Sequence, residues 1–244
     1  MAGHSKWANI RRHKAKQDAK RGQRYTKLIR EITVAARCGA DPNGNPRLRT
    51  ALDKALEANM TKDVIERAIK RGAGGFAEDD VEEIRYEGYG PGGVAALVDC
   101  MTNNRNRTVA DVRHAFTKHD GSLGTNGSVA YLFKKRGQMT FAPGLDVERI
   151  MDIALETGAI DVIINDDQSV DVITEPEDLM QVKNALAEAR FVSEEADITM
   201  LAEANITVID PGLADKIQSL LDTLEDLDDV QSVYTNADIQ VEGK

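Results

Sequence analysis

Cysteine is scarce in this chain, with only Cys38 and Cys100 among 244 residues. That number excludes a disulfide framework, and each cysteine lies in an apolar run where a buried free thiol is expected. Aromatic residues make up 5% of the chain, and the single tryptophan is Trp7. The four histidines, His4, His13, His114 and His119, form no i, i+4 pair and have no Cys-x-x-Cys companion, so no metal site is expected. No stretch approaches the ~18 consecutive apolar residues of a membrane span. The basic N-terminus lacks the apolar segment of a secretory signal, so no membrane partner and a cytoplasmic location are expected.

Catalytic patterns are missing as well. There is no Walker loop, no nucleophile–base pairing and no metal dyad. The chain is therefore read as non-enzymatic, with no catalytic residue, no cofactor and no small-molecule substrate. Two acidic runs, Glu78–Glu83 and Glu225–Asp229, resemble Mg²⁺ ligands only in composition and are expected to be solvated surface. An enzyme acting on RNA or nucleotides would instead need convergent carboxylates beneath the Gly88–Gly93 loop.

What the chain does have is charge sorted along its length. The formal net charge is −10, but residues 1–75 hold 18 Lys and Arg against 7 Asp and Glu, a net of +11. Residues 76–244 hold 13 basic against 34 acidic residues, a net of −21. Residues 1–30 alone carry 10 basic residues and one acid, Asp18. Such asymmetry points to a segment that binds a polyanion. A scaffold whose acidic lobe meets basic proteins is the rival, and there removal of residues 1–22 would leave partner binding intact.

Residues 1–22 show no sustained apolar period, and repulsion among Lys14, Lys16, Lys20 and Arg21 favours an extended or weakly helical arm. From Gln23 the pattern becomes helical. Leu28, Ile29, Ile32, Ala35 and Ala36 make one stripe, and Leu48, Ala51, Leu52, Ala55 and Leu56 make a second. Val64, Ile65, Ala68 and Ile69 make a third. Gly39 ends the first helix, and Asn45 caps the second with Pro46 at its first position. These three helices form a small bundle over residues 23–75, followed by a linker at Ala73–Gly75.

Beyond the linker, strand-like runs at Val81–Glu87, Val94–Met101 and Val129–Phe133 surround a helix capped by Thr108. The next stretch reads strand (Gln138–Phe141), helix (Val147–Thr157), strand (Asp161–Ile164), strand (Val170–Thr174), helix (Pro176–Ala189) and strand (Asp197–Leu201). That is the β-α-β-β-α-β order of a ferredoxin-like sandwich. A final helix (Pro211–Leu227) and strand (Gln231–Thr235) need partners. The economical solution places residues 134–205 as an insertion in a discontinuous domain built from 78–133 and 206–240. The fold class is thus α+β: a three-helix domain followed by two α/β sandwich domains, the third inserted into the second.

Gly88-Tyr-Gly-Pro-Gly-Gly93 matches G-x-G-x-x-G formally, yet it precedes a strand and contains Pro91, so a hairpin turn is expected instead of a dinucleotide site. Asn103–Thr108 reads as a polar turn plus helix cap, or as a second nucleic-acid contact through Arg105 and Arg107. Trp7 either pins the arm to the bundle or stacks on an exposed base. The candidate nucleic-acid-binding residues are His4, Lys6, Trp7, Arg11, Arg12, Lys14, Lys16, Lys20 and Arg21 in the arm. In the helical domain they are Arg24, Lys27, Arg30, Arg47 and Arg49, and further on Arg105 and Arg107.

Met1-Ala-Gly-His-Ser-Lys-Trp-Ala-Asn-Ile10, Asp18-Ala-Lys-Arg-Gly22, Tyr25–Ile32 and Asn45-Pro-Arg-Leu-Arg49 resemble the YebC/PmpR family. So do Tyr86–Gly93, Asn104–Ala110 and Gly127–Tyr131. The resemblance spans the chain and is weakest from about Gly137. It implies a helical N-terminal domain followed by two α/β domains, with the third inserted in the second. It further implies one of two roles. Bacterial members are described as DNA-binding transcriptional regulators. A mitochondrial relative activates translation, and bacterial relatives have been tied to ribosomes stalled on proline-rich sequences. The partner expected is therefore nucleic acid, DNA or rRNA, with the ribosome as the alternative setting.

Overall fold

The computed structural model describes residues 21–74 and 81–240. The first three helices among the described residues are α1 (Arg21–Ala36), α2 (Pro46–Glu57) and α3 (Lys62–Gly74). Because α1 starts at Arg21, its first turn takes in two residues that the charge pattern assigns to the arm. The rest of the expected arm lies outside the described residues. The apolar stripes meet as their spacing requires, with Ile32, Ala35, Leu48, Ala51, Ala55, Ile65 and Ala68 all buried in one cluster. Asn45 caps α2, its side chain accepting from the Leu48 N–H at 3.1 Å, and Pro46 takes the first helical position. The same side chain donates to the carbonyls of Ala35 (2.7 Å) and Gly39 (2.8 Å), so one residue closes α1 and opens α2. Where α3 crosses α1, a Cβ on Gly72 would stand 2.2 Å from the Thr33 carbonyl oxygen, so only glycine permits this approach.

The second domain begins with β1 (Glu82–Tyr89) and β2 (Ala95–Thr102), which pair antiparallel from Glu82↔Thr102 to Tyr89↔Ala95. The glycine-rich segment between them is the hairpin turn expected, with Pro91–Gly93 in a single 3-10 turn. Helix α4 (Arg105–Lys118) and the short β3 (Ser122–Leu123) follow. After the third domain the chain returns through β8 (Ile206–Val208), α7 (Pro211–Glu225), β9 (Val230–Thr235) and β10 (Ala237–Ile239). Strand β9 joins the first sheet beside β2, in the order β3-β1-β2-β9, which makes the third domain an insertion in the second. One face of this sheet is closed by α4 and α7, with Phe116, Val112, Leu220 and Leu224 packed on Tyr86, Val98 and Cys100. Strands β8 and β10 form a separate parallel pair that the sequence patterning does not reveal.

The inserted domain runs β4 (Phe133–Phe141), α5 (Val147–Glu156), β5 (Ala159–Ile164), β6 (Val170–Thr174), α6 (Leu179–Glu188) and β7 (Glu195–Ala202). The sheet order is β5-β6-β4-β7, and every neighbouring pair is antiparallel, as in a ferredoxin-like sandwich. Met139, Phe141, Ile150, Ala154, Val170, Val172, Val182 and Leu186 form its core. One strand differs from expectation. The run Val129–Phe133 is mostly a 3-10 turn (Ala130–Leu132), and the strand occupies Phe133–Phe141. The polar stretch Lys134–Gly137, to which the sequence assigns no element, is held by the ladder to β7, with β6 joining from Gly137, and Gly137 lies under Leu179.

By tertiary contacts the described residues divide into two compact units: 21–74, 81–128 and 216–233 in one, 129–215 and 234–240 in the other. The candidate cations of the described chain all belong to the first of these. No helix among the described residues is long and apolar enough to cross a membrane.

Candidate nucleic-acid interface

Helix α1 turns one polar row, Gln23, Lys27 and Arg30, toward the end of α7. These residues are spaced i, i+4 and i+7, so they share a face. Gln23 Nε2 donates to the Asp226 carbonyl at 2.5 Å, Lys27 Nζ to the Glu225 carbonyl at 2.8 Å, and Arg30 to the Asp228 carbonyl. The last carbonyls of a helix have no intrahelical donors, and its C-terminus carries partial negative charge. One cation that the charge pattern assigns to nucleic acid, Lys27, therefore caps α7, and a second, Arg30, holds the turn that follows it. Burial pushes the Lys27 ammonium below its ordinary value, against the raising effect of Glu225, Asp226 and Asp228.

Asp229, just beyond that helix end, is 5% exposed and gathers four side chains. Arg107 donates to it from Nε (3.2 Å) and from its terminal nitrogen (2.7 Å). Arg30 pairs with it at 3.0 Å. Thr108 Oγ1 donates at 2.7 Å and Thr102 Oγ1 lies at 3.2 Å. Burial pushes the Asp229 carboxyl up, but hydrogen bonds from Arg107 and Thr108 and the charge of Arg30 outweigh it, and the net shift is downward.

This corrects two expectations. The Glu225–Asp229 run is not simply solvated, because its last member is a buried acceptor. Thr108 is also not the cap of α4: Asn104 is, its side chain accepting from the Arg107 N–H at 3.1 Å. The helix starts three residues before Thr108, which leaves that hydroxyl facing inward to Asp229.

Arg47 bridges α1 and β1. It holds Glu31 at 2.8 Å and Glu83 at 2.5 Å, and these bonds raise its guanidinium pKa. The bond from Arg47 also holds the Glu83 carboxyl below its usual range. Arg49 donates to the carbonyls of Pro42 and Asn43, both at 3.2 Å, and so fastens the turn before α2. Arg24 and Arg105 have no ion pair among the described residues.

The site residues therefore fall into three sets. Lys27, Arg30, Arg47 and Arg107 are committed to carboxylates or helix carbonyls. Arg24, Arg49 and Arg105 keep their charge uncompensated by a carboxylate among the described residues. His4, Lys6, Trp7, Arg11, Arg12, Lys14, Lys16 and Lys20 lie outside the described residues, and of Arg21 only the backbone is described. The residues that sequence reasoning missed are Gln23, Thr102 and Asp229. Only the tertiary contacts around the end of α7 reveal them, and no local pattern marks them.

The Gly88–Gly93 turn rests on apolar groups, since a Cβ on Gly90 would meet Leu220 Cδ2 at 2.9 Å and Val94 Cγ2 at 3.1 Å. Among the described residues no group of three His, Cys, Asp or Glu side chains is placed to hold a metal ion. Cys100 is buried and its thiol is pushed up by burial to about 12. Cys38 is exposed, unlike the buried thiol expected, because it lies just past the C-terminus of α1.

Two family models match the chain: the TACO1/YebC protein N-terminal domain over residues 5–75 and the TACO1/YebC second and third domain over residues 81–237. A "Probable transcriptional regulatory protein" of Francisella tularensis subsp. novicida (strain U112) is 60% identical over 243 residues, which is 99% of this chain and 98% of that protein. "Probable transcriptional regulatory protein FTF0655" of F. tularensis subsp. tularensis (strain FSC 198) is 59% identical over the same shares. Among solved structures, the crystal structure of a conserved hypothetical protein, Aq1575, from Aquifex aeolicus superposes with a TM-score of 0.83 at 46% identity. That superposition covers 93% of this chain and 94% of the other.

Proposed function

The chain belongs to the TACO1/YebC family, and from that premise we propose that it is a non-enzymatic, cytoplasmic regulator of gene expression that binds nucleic acid through its basic N-terminal arm and helical domain. The observation that carries this reading is the segregation of charge, +11 over residues 1–75 against −21 over the remainder. Close relatives named as probable transcriptional regulatory proteins support the regulatory part. Cations on a polyanion-binding segment neutralise phosphates and release counterions, so affinity is charge-driven and salt-dependent. Because Lys27, Arg30, Arg47 and Arg107 are engaged within the protein, the phosphate contacts are assigned to the arm together with Arg24, Arg49 and Arg105.

DNA is the first target in this reading, and rRNA is the alternative, served by the same cations. The test is a binding titration of duplex DNA and of structured RNA across a range of salt. Affinity should fall steeply with salt, and deletion of Ala2–Lys20 should abolish binding while the melting temperature stays put. A flat salt dependence would refute the charge-based reading. Crosslinking in cells, with sequencing of the bound nucleic acid, separates promoters from rRNA.

A further inference from the structure

The bonds named between the helical domain, 21–74, and the second domain run one way. Gln23, Lys27 and Arg30 donate to the carbonyls of Asp226, Glu225 and Asp228. Arg37 donates to the Val81 carbonyl at 2.7 Å, Arg30 pairs with Asp229, and Arg47 pairs with Glu83. In these bonds the helical side supplies donors, most of them cationic, and the second domain supplies carbonyl and carboxylate oxygens. The phosphate oxygens of a nucleic acid are acceptors of the same class. We propose that the end of α7, with Asp229 beyond it, is an internal stand-in for nucleic acid. It latches the helical domain to the second domain by holding Lys27 and Arg30, and opening of the latch hands these two cations to a bound polyanion. The proposal rests on the nucleic-acid reading above and adds a conformational control to it.

Three observations carry it. First, the two cores are separate. The bundle core draws on residues 25–69, and the sheet core on 84–123 and 220–233. A small cluster, Val34 with Val81 and Met101, spans the two. An interface held largely by polar bonds leaves domains able to move, where a large apolar one would not. Second, residues 21–74 are contiguous, so a single stretch of chain, 75–81, joins α3 to β1.

Third, release strands no charge. Breaking a buried pair is costly when one charge is left without a partner. Asp229 keeps Arg107 at 2.7 Å and the Thr108 hydroxyl at 2.7 Å, both from α4 in its own domain. Arg47 keeps Glu31 at 2.8 Å within the helical domain. Burial pushes the Lys27 ammonium down, and release into water relieves that burial. The carbonyls around the end of α7 return to water, which serves helix ends well. Closed and open arrangements are therefore both satisfied, and a phosphate backbone adds contacts to the open one alone.

The experiment uses the full chain in salt titrations with duplex DNA and with structured RNA. Asp229→Asn loosens the latch and should tighten binding about tenfold at low salt, with a salt slope steeper by about two. Glu83→Gln acts on a pair whose side chains are 41% and 51% exposed, so the fold tolerates it, and binding should move the same way by a smaller factor. Glu82→Gln makes the same charge change on an exposed neighbour and should leave affinity within about twofold. Lys27→Met in the Asp229→Asn background should lose most of the gain, a coupling that a general change in net charge does not produce. Spin labels on Cys38, which is exposed, and on Ser122→Cys report the distance between the domains, since Cys100 is buried. That distance should gain a longer population in Asp229→Asn when nucleic acid is bound. If Asp229→Asn and Glu83→Gln bind no tighter than Glu82→Gln, or if the distance stays as in the unbound parent, the proposal is overturned while the broader reading stands. If parent and variants bind no nucleic acid at any salt, the broader reading falls and this proposal with it.

Discussion

Replacing Asp229 with alanine perturbs the charge arrangement at its most buried point. Asp229 is 5% exposed and receives Arg30, Arg107, Thr102 and Thr108. Removing one partner of a fully buried ion pair costs about 3–5 kcal/mol. Arg107 is half in water, with its side chain 47% exposed, and contributes closer to the ~0–1 kcal/mol of a surface pair. Arg30, with a side chain 20% exposed, carries the larger share. The two hydroxyls keep other bonds, Thr108 to the Asn104 carbonyl and Thr102 from the Asn104 N–H, so their loss is partial. The expected cost is about 3 kcal/mol, which corresponds to a fall in Tm of roughly 6–12 °C.

Asp229→Asn keeps the shape and removes the charge, and should cost about 1–2 kcal/mol at neutral pH. The pH dependence has a definite sign. The folded pKa is lowered, so the stabilisation is complete above the unfolded carboxylate value of about 3.9 and is lost as pH falls through the lower folded value. The gap between parent and Asp229→Asn should therefore be full above pH ~4 and close below it. Urea titration at several pH values measures both quantities. An alanine cost under about 1 kcal/mol, or a gap that does not change with acid, would refute the assignment of Asp229 as a charge hub.

Other outcomes follow from the same geometry. Lys27→Met should lower stability by about 0.5–1 kcal/mol through loss of the cap on α7, while nucleic-acid affinity stays within about twofold. A large loss of affinity with unchanged Tm would instead make Lys27 a direct contact. Gly72→Ala should destabilise the helical bundle by about 1–3 kcal/mol, since its Cβ would press on the Thr33 carbonyl, and chemical denaturation measures this. In the native protein a thiol reagent should titrate one cysteine, Cys38, with Cys100 reacting only on unfolding. Two equivalents in the native state would contradict the burial of Cys100.

Local physics made much of this molecule legible in the chain. The three apolar stripes, the Asn45–Pro46 start of α2 and the hairpin at Gly88–Gly93 all depend on neighbours a few residues apart, and all appear as read. The β-α-β-β-α-β order was also readable, because each element carries its own period. The strand edges were less so. Residues Lys134–Gly137 are polar and contain a glycine, and only pairing with β7 makes them a strand. The short β3, β8 and β10 have too few residues to show any alternation.

Charge behaved differently from hydrophobic pattern. The sequence by itself established that cations gather before residue 75 and acids after it. It could not say which cations remain available, because a lysine that caps a distant helix, or an arginine bound to a buried carboxylate, looks the same in sequence as one that faces solvent. Tertiary structure decided this. Folding brings α1 against the end of α7, almost 200 residues later, where helix carbonyls and the Asp229 carboxylate claim Lys27, Arg30 and Arg107. The physical reason is that electrostatic partners are chosen by distance in space, whereas helix and strand periods are set by distance along the chain.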